Sequence, residues 1–205
     1  VCSRAQDFIG QIMSLSRKTV SRTEVFSIKK LAEDSVDFVK SSVPDNTLLK
    51  IELPEDDINI EADPVQINQI FINLINNALY AMENKNGVIG LSLSKITAGA
   101  DNLMGLDPGR EYAEIRIKDT GCGIPKEISS RIFDPFFSTK PKGEGSGMGL
   151  SVALGIAKKF RGNIIFESTP NSGSNFFVYL PVSYKEISSC KSAKRKDYKK
   201  VHVRK

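Results

Sequence analysis

The chain has 205 residues, 40% of them hydrophobic and 26% charged, and its 29 Lys and Arg against 24 Asp and Glu give a net charge of +5. This composition excludes a disordered chain, a collagen-like chain and a bundle of membrane helices. Four asparagines interrupt the most apolar stretch, residues 67–82, so no segment reaches the roughly 18 uninterrupted apolar residues of a spanning helix. The length predicts one compact domain with appendages.

The positive charge is concentrated at the C-terminal end. Residues 183–205 contain nine basic and two acidic side chains, a net charge of +7, which leaves −2 for residues 1–182. Only Tyr184 and Tyr198 are interleaved with this charge, so a flexible solvated tail or a contact with acidic surfaces is favoured over a nucleic-acid-binding segment. We therefore expect no direct contact with nucleic acid.

The three cysteines, Cys2, Cys122 and Cys190, lie far apart and form no Cys-x-x-Cys pair. This spacing predicts a reducing compartment, which favours a cytoplasmic location, and predicts neither a disulfide framework nor a zinc site. Because the first residue is Val, we expect the chain to begin inside a longer protein. No membrane segment is expected within the chain itself.

Two amphipathic helices are predicted first. Between residues 4 and 18 apolar residues recur at three- and four-residue steps, so one face of this helix is expected to pack on another helix. A polar linker follows at residues 16–24. Ser27 is the predicted N-cap of the second helix, which is expected to end near Ser41.

Two strands and a long helix are predicted next. Residues 48–53 and 58–60 alternate apolar and polar side chains around residues 54–57, which predicts a β-hairpin. Asp63 is the predicted N-cap of a helix that continues to about Glu83, and the proline that follows Asp63 suits the first helical position.

The remaining chain predicts four more strands and one more helix. The strands are expected at residues 88–96, 111–118, 163–167 and 176–180, and the helix at residues 148–160. Together the elements predict an α/β (α+β) two-layer sandwich, in which a mixed sheet of about five strands packs on about three helices.

Two asparagines lie one turn apart on the long helix. Asn73 and Asn77 share a helix face because residues four apart do so. A neutral amide oxygen suits Mg²⁺ when phosphates supply the negative charge. For the pair taken alone, hydrogen bonds to neighbouring backbone are the simpler explanation.

The segment 119–125 directly follows a predicted strand. A buried Asp119 can accept a hydrogen bond from an exocyclic amine such as adenine N6, and Gly121 and Gly123 let the backbone approach a flat ring. An ordinary turn is the alternative interpretation of this segment.

Two further segments carry unusual residues. Residues 133–140 join three phenylalanines to a hydroxyl pair and a lysine, which predicts core packing at the hinge of a mobile loop. Residues 143–150 place glycine at alternate positions before a helix, and such a loop cradles phosphate with backbone N–H groups. The segment is not a Walker loop, because the trailing Lys-Ser/Thr is absent, and its glycine spacing differs from a dinucleotide fingerprint.

These four segments, in this order, resemble the N, G1, F and G2 boxes of the ATP-binding domain of sensor histidine kinases. That domain has the Bergerat-type fold of the superfamily shared with gyrase, MutL and chaperone ATPases. The resemblance extends from residue 4 to about residue 182, and the opening helix looks like the second helix of the family's dimerisation and phosphoacceptor hairpin. It implies three parts: hairpin helix and linker at residues 1–23, ATP-binding domain at residues 24–182, and basic flexible tail at residues 183–205.

The resemblance implies ATP and Mg²⁺ as cofactors and gives roles to individual residues. Asn77 would bind Mg²⁺, and Asp119 would hold adenine on a floor formed by Gly121 and Gly123. A mobile lid at residues 138–147 would bring its Thr139 and Lys140 to the phosphates. The residues that would wrap the triphosphate are Gly145, Ser146, Gly147, Met148, Gly149 and Leu150.

Asn73, Asn77 and Lys140 are the residues expected to carry catalysis. In the hydrolysing relatives the position of Asn73 is a Glu that acts as general base on water. An amide cannot accept that proton, which favours a kinase over an ATPase. Tyr80 stands where many histidine kinases carry Lys or Arg, so it receives no phosphate role, and the N box looks more like the nitrogen-regulation branch.

The resemblance therefore implies transfer of the γ-phosphoryl of Mg-ATP to a histidine on an upstream hairpin, with relay to an aspartate of a response-regulator receiver domain. The hairpin would form a homodimer in the full-length protein. His202 is the only histidine and lies in the basic tail, so the chain alone is not expected to autophosphorylate. A non-catalytic nucleotide-gated regulator and an ATPase of the same superfamily are the alternatives.

Overall fold

The computed structural model describes residues 22–40, 43–44, 46–82, 86–100, 104–141 and 145–185. The expected opening helix, His202 and nearly all of the expected basic tail lie outside the described residues. The elements, in chain order, are β1 Glu24–Ser27, α1 Ile28–Lys40, β2 Thr47–Glu52, β3 Asn59–Ala62, α2 Pro64–Ala81, β4 Gly87–Thr97, β5 Glu111–Asp119, α3 Lys126–Ser129, α4 Gly149–Lys159, β6 Asn163–Thr169 and β7 Gly173–Pro181.

A five-stranded mixed sheet forms one layer of the fold, with the strand order β2-β4-β5-β7-β6. Strand β2 runs parallel to β4, and the other three neighbouring pairs are antiparallel. Buried apolar side chains of α1, α2 and α4 pack with one face of this sheet in a single core. The predicted two-layer α/β sandwich is therefore confirmed.

The predicted hairpin between β2 and β3 is wrong. Strand β3 pairs with β1, antiparallel, in a separate two-stranded sheet, and β2 lies at the edge of the large sheet beside β4. Alternation of apolar and polar residues identifies a half-buried strand but does not identify its partner. Strand β1 was missed because its four residues adjoin a polar segment that predicted a linker.

The predicted caps of α1 and α2 are confirmed. Ser27 Oγ accepts a hydrogen bond from the Lys30 N–H at 3.2 Å. Asp63 Oδ1 accepts from the N–H groups of Val65 at 3.0 Å and Gln66 at 3.4 Å. Pro64 follows at the first position of α2, so that helix begins where the sequence predicted.

The described residues continue past the expected domain boundary at residue 182. The Ser183 N–H donates to the Asn59 carbonyl at 2.8 Å, and Lys185 Nζ lies 2.7 Å from a carboxylate oxygen of Glu61. The division of the chain into three parts stays a prediction. None of the helices in the described part of the chain combines the length and apolarity that a bilayer crossing needs.

Replacing Asp63, the N-cap of α2, tests whether this side chain stabilises the start of the helix. Asp63→Ala removes the acceptor for two otherwise unpaired N–H groups, so the free energy of unfolding is expected to fall by about 1 kcal/mol. Asp63→Asn keeps an acceptor oxygen and is expected to stay close to the wild type. Urea unfolding measures both variants, and equal losses in the two would contradict the capping role.

Candidate functional site

Asp119 ends β5 with its carboxylate buried, at 3% relative exposure. Its Oδ1 accepts hydrogen bonds from the N–H groups of Gly121 at 2.8 Å and Ser174 at 3.2 Å. Burial raises the pKa of Asp119 above the ordinary value of 3.8, and these two hydrogen bonds lower it by less. Because neither bond uses Oδ2, the second oxygen is available to a ligand's hydrogen-bond donor.

The glycines after Asp119 allow close approach of the protein's own backbone. A Cβ on Gly121 would lie 2.4 Å from the Ala81 carbonyl oxygen at the end of α2. Gly123 has φ +66°, and a Cβ there would lie 2.1 Å from the Thr169 carbonyl oxygen at the end of β6. Both glycines therefore hold the loop after β5 between a helix and a strand, and their contact with a purine ring stays a prediction.

Asn73 links α2 to the start of α4. Its Nδ2 donates to the Gly149 carbonyl at 2.9 Å, and its Oδ1 accepts from Gln69 Nε2 at 2.9 Å. Asn77, one turn further along α2, is half-buried, and its amide takes part in none of the side-chain hydrogen bonds among the described residues. The two asparagines therefore differ: one fixes the next helix, and the other is available as a ligand.

Residue 136, which lies just before the expected lid, contacts residue 147 at the end of the lid. Phe136 has φ +66° and Gly147 has φ +68°, and a Cβ on Gly147 would lie 2.5 Å from the Phe136 carbonyl carbon. The prediction that all three phenylalanines of this segment are core residues is wrong. Phe133 and Phe137 pack against the core, but the Phe136 side chain is 72% exposed while its left-handed backbone lies against Gly147.

Lys140 lies against α2. Its Nζ is 3.9 Å from the centroid of the Tyr80 ring, and its backbone N–H donates to Ser138 Oγ at 3.1 Å. The neighbouring Thr139 is exposed. Sequence reasoning assigned no role to Tyr80. Its position three residues after Asn77 places both residues on one face of α2, and this spacing could have indicated that Tyr80 lies near the site.

The N-terminus of α4 follows the glycine-rich segment directly. Met148 is its N-cap residue, and no side chain caps this end of the helix. The Met148 N–H donates to Ser146 Oγ at 3.3 Å, while the Met148 side chain is buried and Leu150 is half-buried. A helix end without a side-chain cap offers N–H groups to an anion, which fits the predicted phosphate cradle.

The side chains available as ligands fit a magnesium ion only if phosphate oxygens also bind that ion. The described part of the chain contains no group of three or more His, Cys, Asp or Glu side chains that could hold a metal. Asn77 offers one neutral amide oxygen, and Mg²⁺ bound with substrate phosphates commonly keeps only one or two protein ligands. The roles that the sequence gives to individual site residues stay predictions.

Comparison with known proteins shows which protein family the chain belongs to. Residues 62–184 match the family model described as histidine kinase-, DNA gyrase B- and HSP90-like ATPase. The match covers more than half of the chain and includes all four sequence segments. The chain belongs to this ATPase family, which identifies it as a nucleotide-using domain and confirms the resemblance drawn from the boxes.

Two proteins with similar sequences are sensor kinases. The chain is 35% identical to the sensor kinase CckA of Brucella abortus, with 87% of this chain and 19% of that protein covered. It is 32% identical to the sensory histidine kinase/phosphatase NtrB of Klebsiella oxytoca, with 87% and 49% covered. The chain thus spans less than half the length of either relative, and NtrB agrees with the nitrogen-regulation likeness of the N box.

Solved structures show the same fold. The catalytic domain of histidine kinase ThkA is 26% identical, with a TM-score of 0.64 and with 78% of this chain and 95% of that chain covered. ThkA in complex with the response regulator protein TrrA is 24% identical, with a TM-score of 0.66 and coverages of 89% and 48%.

The raised pKa of Asp119 predicts a pH-dependent effect on stability. Asp119→Asn keeps an oxygen for the two backbone donors and removes the ionisable group. The cost of burying the charge is absent below the unfolded-state pKa and develops as pH rises through the raised folded-state pKa. The variant is therefore expected to gain stability relative to the wild type from acid to neutral pH. Urea unfolding across that range measures the difference, and a difference that does not vary with pH would refute the buried charge.

Proposed function

We propose that this domain binds Mg-ATP and transfers the γ-phosphoryl group to a histidine on a helical hairpin, for relay to an aspartate of a response-regulator receiver domain. The observation that carries the proposal is the buried Asp119, whose Oδ1 is fixed by two backbone donors beside the asparagine-bearing helix. Membership of the ATPase family and the sensor-kinase relatives support it.

The adenine, the phosphates and the metal ion would each have a matching group. Asp119 Oδ2 would accept a hydrogen bond from the adenine amine, and the N–H groups at the start of α4 would bind the triphosphate. Lys140 would supply a positive charge from the lid segment. Asn77 would hold Mg²⁺, which would neutralise phosphate charge when it is bound.

The transfer needs little covalent chemistry from the protein. The histidine nitrogen forms a bond to the γ-phosphorus, and the bond from that phosphorus to the oxygen bridging the β- and γ-phosphates breaks, so ADP leaves. The chain's residues contribute alignment of donor and acceptor and stabilisation of the charge on the transferring group. This requirement fits a site made of backbone N–H groups, amides and one lysine.

The environment of Asn73 supports a kinase over an ATPase. Its amide donates to the Gly149 carbonyl and accepts from Gln69, so both of its polar atoms are engaged. A neutral amide has no basic site for a proton from attacking water. Hydrolysis is therefore expected to be slow, and ATP is conserved for a histidine acceptor.

The acceptor and the partners are proposed from the relatives. The chain spans 19% of CckA and 49% of NtrB, so the hairpin with its acceptor histidine would belong to the longer protein. ThkA is a histidine kinase that has been solved with a response regulator, which supports the same partner class here. We infer that residues 1–23 complete a dimeric hairpin, that residues 24–182 form the catalytic domain and that residues 183–205 form a basic tail. The cysteine pattern favours a cytoplasmic position.

Phosphotransfer in trans tests the proposal. The chain is mixed with a hairpin fragment that carries an acceptor histidine and with γ-labelled ATP, and acid-labile, base-stable phosphate on the fragment is measured. Asn77→Ala and Asp119→Asn are expected to lower the labelling rate at least about a hundredfold, since each removes a group that holds the reacting complex. Asn76→Ala changes an exposed neighbour on the same helix and is the matched control, with labelling close to the wild type.

The alternatives give different results in the same assay. Nucleotide binding without phosphohistidine would indicate a nucleotide-gated regulator. Brisk release of inorganic phosphate in the absence of the fragment would indicate an ATPase. Labelling that is unchanged in both Asn77→Ala and Asp119→Asn would refute the assigned site.

A further inference from the structure

Tyr80 and Lys140 form a close contact between α2 and the lid segment. Lys140 Nζ lies 3.9 Å from the centroid of the Tyr80 ring, well inside the roughly 6 Å within which a ring attracts a cation. Tyr80 is half-buried and lies three residues after Asn77, so the contact lies on the α2 face that carries the proposed metal ligand. The contact therefore places the ammonium group on the same side of α2 as that ligand.

Two further features of the lid segment direct the lysine toward α2. Its backbone N–H donates to Ser138 Oγ at 3.1 Å, which closes a tight turn before the side chain. A Cβ on Gly145 would lie 2.9 Å from Lys140 Cδ, so the glycine makes room for the aliphatic stem. The stem thus passes Gly145, and the ammonium group ends over the Tyr80 ring.

We propose that Tyr80 is a positioning residue that holds Lys140 in place for the phosphates of the nucleotide. The inference rests on the proposed function. A lysine side chain has four rotatable carbons and loses much rotamer freedom when its charge is fixed. The attraction between the ring face and the ammonium group narrows the positions that this group samples before the nucleotide binds. Tyr80 thereby contributes to nucleotide binding through Lys140 and does not touch the phosphates itself.

Calorimetric titration of the full chain with Mg-ATP and with adenosine tests the role. Tyr80→Leu is expected to weaken Mg-ATP binding by about three- to tenfold, because the cation–π attraction that orients the lysine is lost. Adenosine binding is expected to stay unchanged, since adenosine has no phosphates for Lys140. Tyr80→Phe keeps the aromatic face and is expected to restore Mg-ATP binding to near the wild-type value.

A double-mutant cycle shows whether the tyrosine acts through the lysine. In the Lys140→Met background, Tyr80→Leu is expected to cause no further loss of Mg-ATP affinity. Lys159→Met is the matched control. This lysine lies 5.3 Å from the ring of Phe160 at the opposite end of α4 from the phosphate cradle, so its loss is expected to leave Mg-ATP affinity unchanged.

The contact itself is measured by nuclear magnetic resonance of the free chain. The ε-methylene protons of Lys140 are expected to shift upfield in the ring current of Tyr80 and to lose that shift in Tyr80→Leu. Additive losses in the cycle, an equal loss for adenosine, or the absence of the ring-current shift would overturn the inference and leave the proposed function intact. A wild-type chain that shows the shift but binds no Mg-ATP would overturn the proposed function, and with it the role of the contact in phosphate binding.

Discussion

The site depends on how the buried carboxylate of Asp119 is held. Its Oδ1 accepts N–H donors from both sides, from Gly121 in the loop after β5 and from Ser174 at the start of β7. Gly173 makes this convergence possible, because it has φ +92° and a Cβ there would lie 2.0 Å from the Asp119 carbonyl oxygen. A buried charge without such donors would take up a proton or move to solvent. The fixed carboxylate presents its second oxygen in one direction, which is what selective recognition of an amine requires.

Helix α2 connects this carboxylate to the other segments of the site. Its Ala81 carbonyl accepts from the Cys122 N–H at 3.1 Å, which holds the loop that follows Asp119. Asn73 holds the first residue of α4, and Tyr80 holds Lys140 of the lid segment. The segments proposed to contact base, metal and phosphate are thus all attached to one helix, whose own position is set by its N-cap and by an apolar face in the core. Such a site contributes mainly by positioning the reacting groups, and it needs few reactive side chains of its own.

The sequence predicted those parts of the fold that depend on local chemistry. The caps at Ser27 and Asp63, the glycine-rich start of α4 and the closing strand pair all carry short-range signals, and the structure contains them. The pairing of β3 with β1 was not predictable in the same way, because alternation shows only that a strand has one buried face. Strand partners are decided by packing across the whole domain.

The same limit applies to the site. The order of the four boxes predicted which residues would matter, and the family was confirmed, but the contacts between boxes could not be derived from spacing. Asn73 was expected to matter because its amide cannot act as a base on water. The structure shows that it also joins α2 to α4 through a hydrogen bond to Gly149, 76 residues further along the chain. Gly147 was predicted to face phosphate, which stays a prediction, and the structure shows that it packs on the Phe136 backbone. Long-range partners are set by tertiary packing, which no local pattern encodes.

Base selectivity tests the central claim most directly. Calorimetric titration compares Mg-ATP with Mg-ITP, whose ring carries an oxygen where adenine carries the amine. The wild-type chain is expected to favour ATP by at least about tenfold, because the Asp119 carboxylate accepts from an amine and repels an oxygen. Asp119→Asn, which presents an N–H donor at the same position, is expected to reverse the preference. Equal affinities for the two nucleotides in the wild type, or a preference that survives the substitution, would contradict the account.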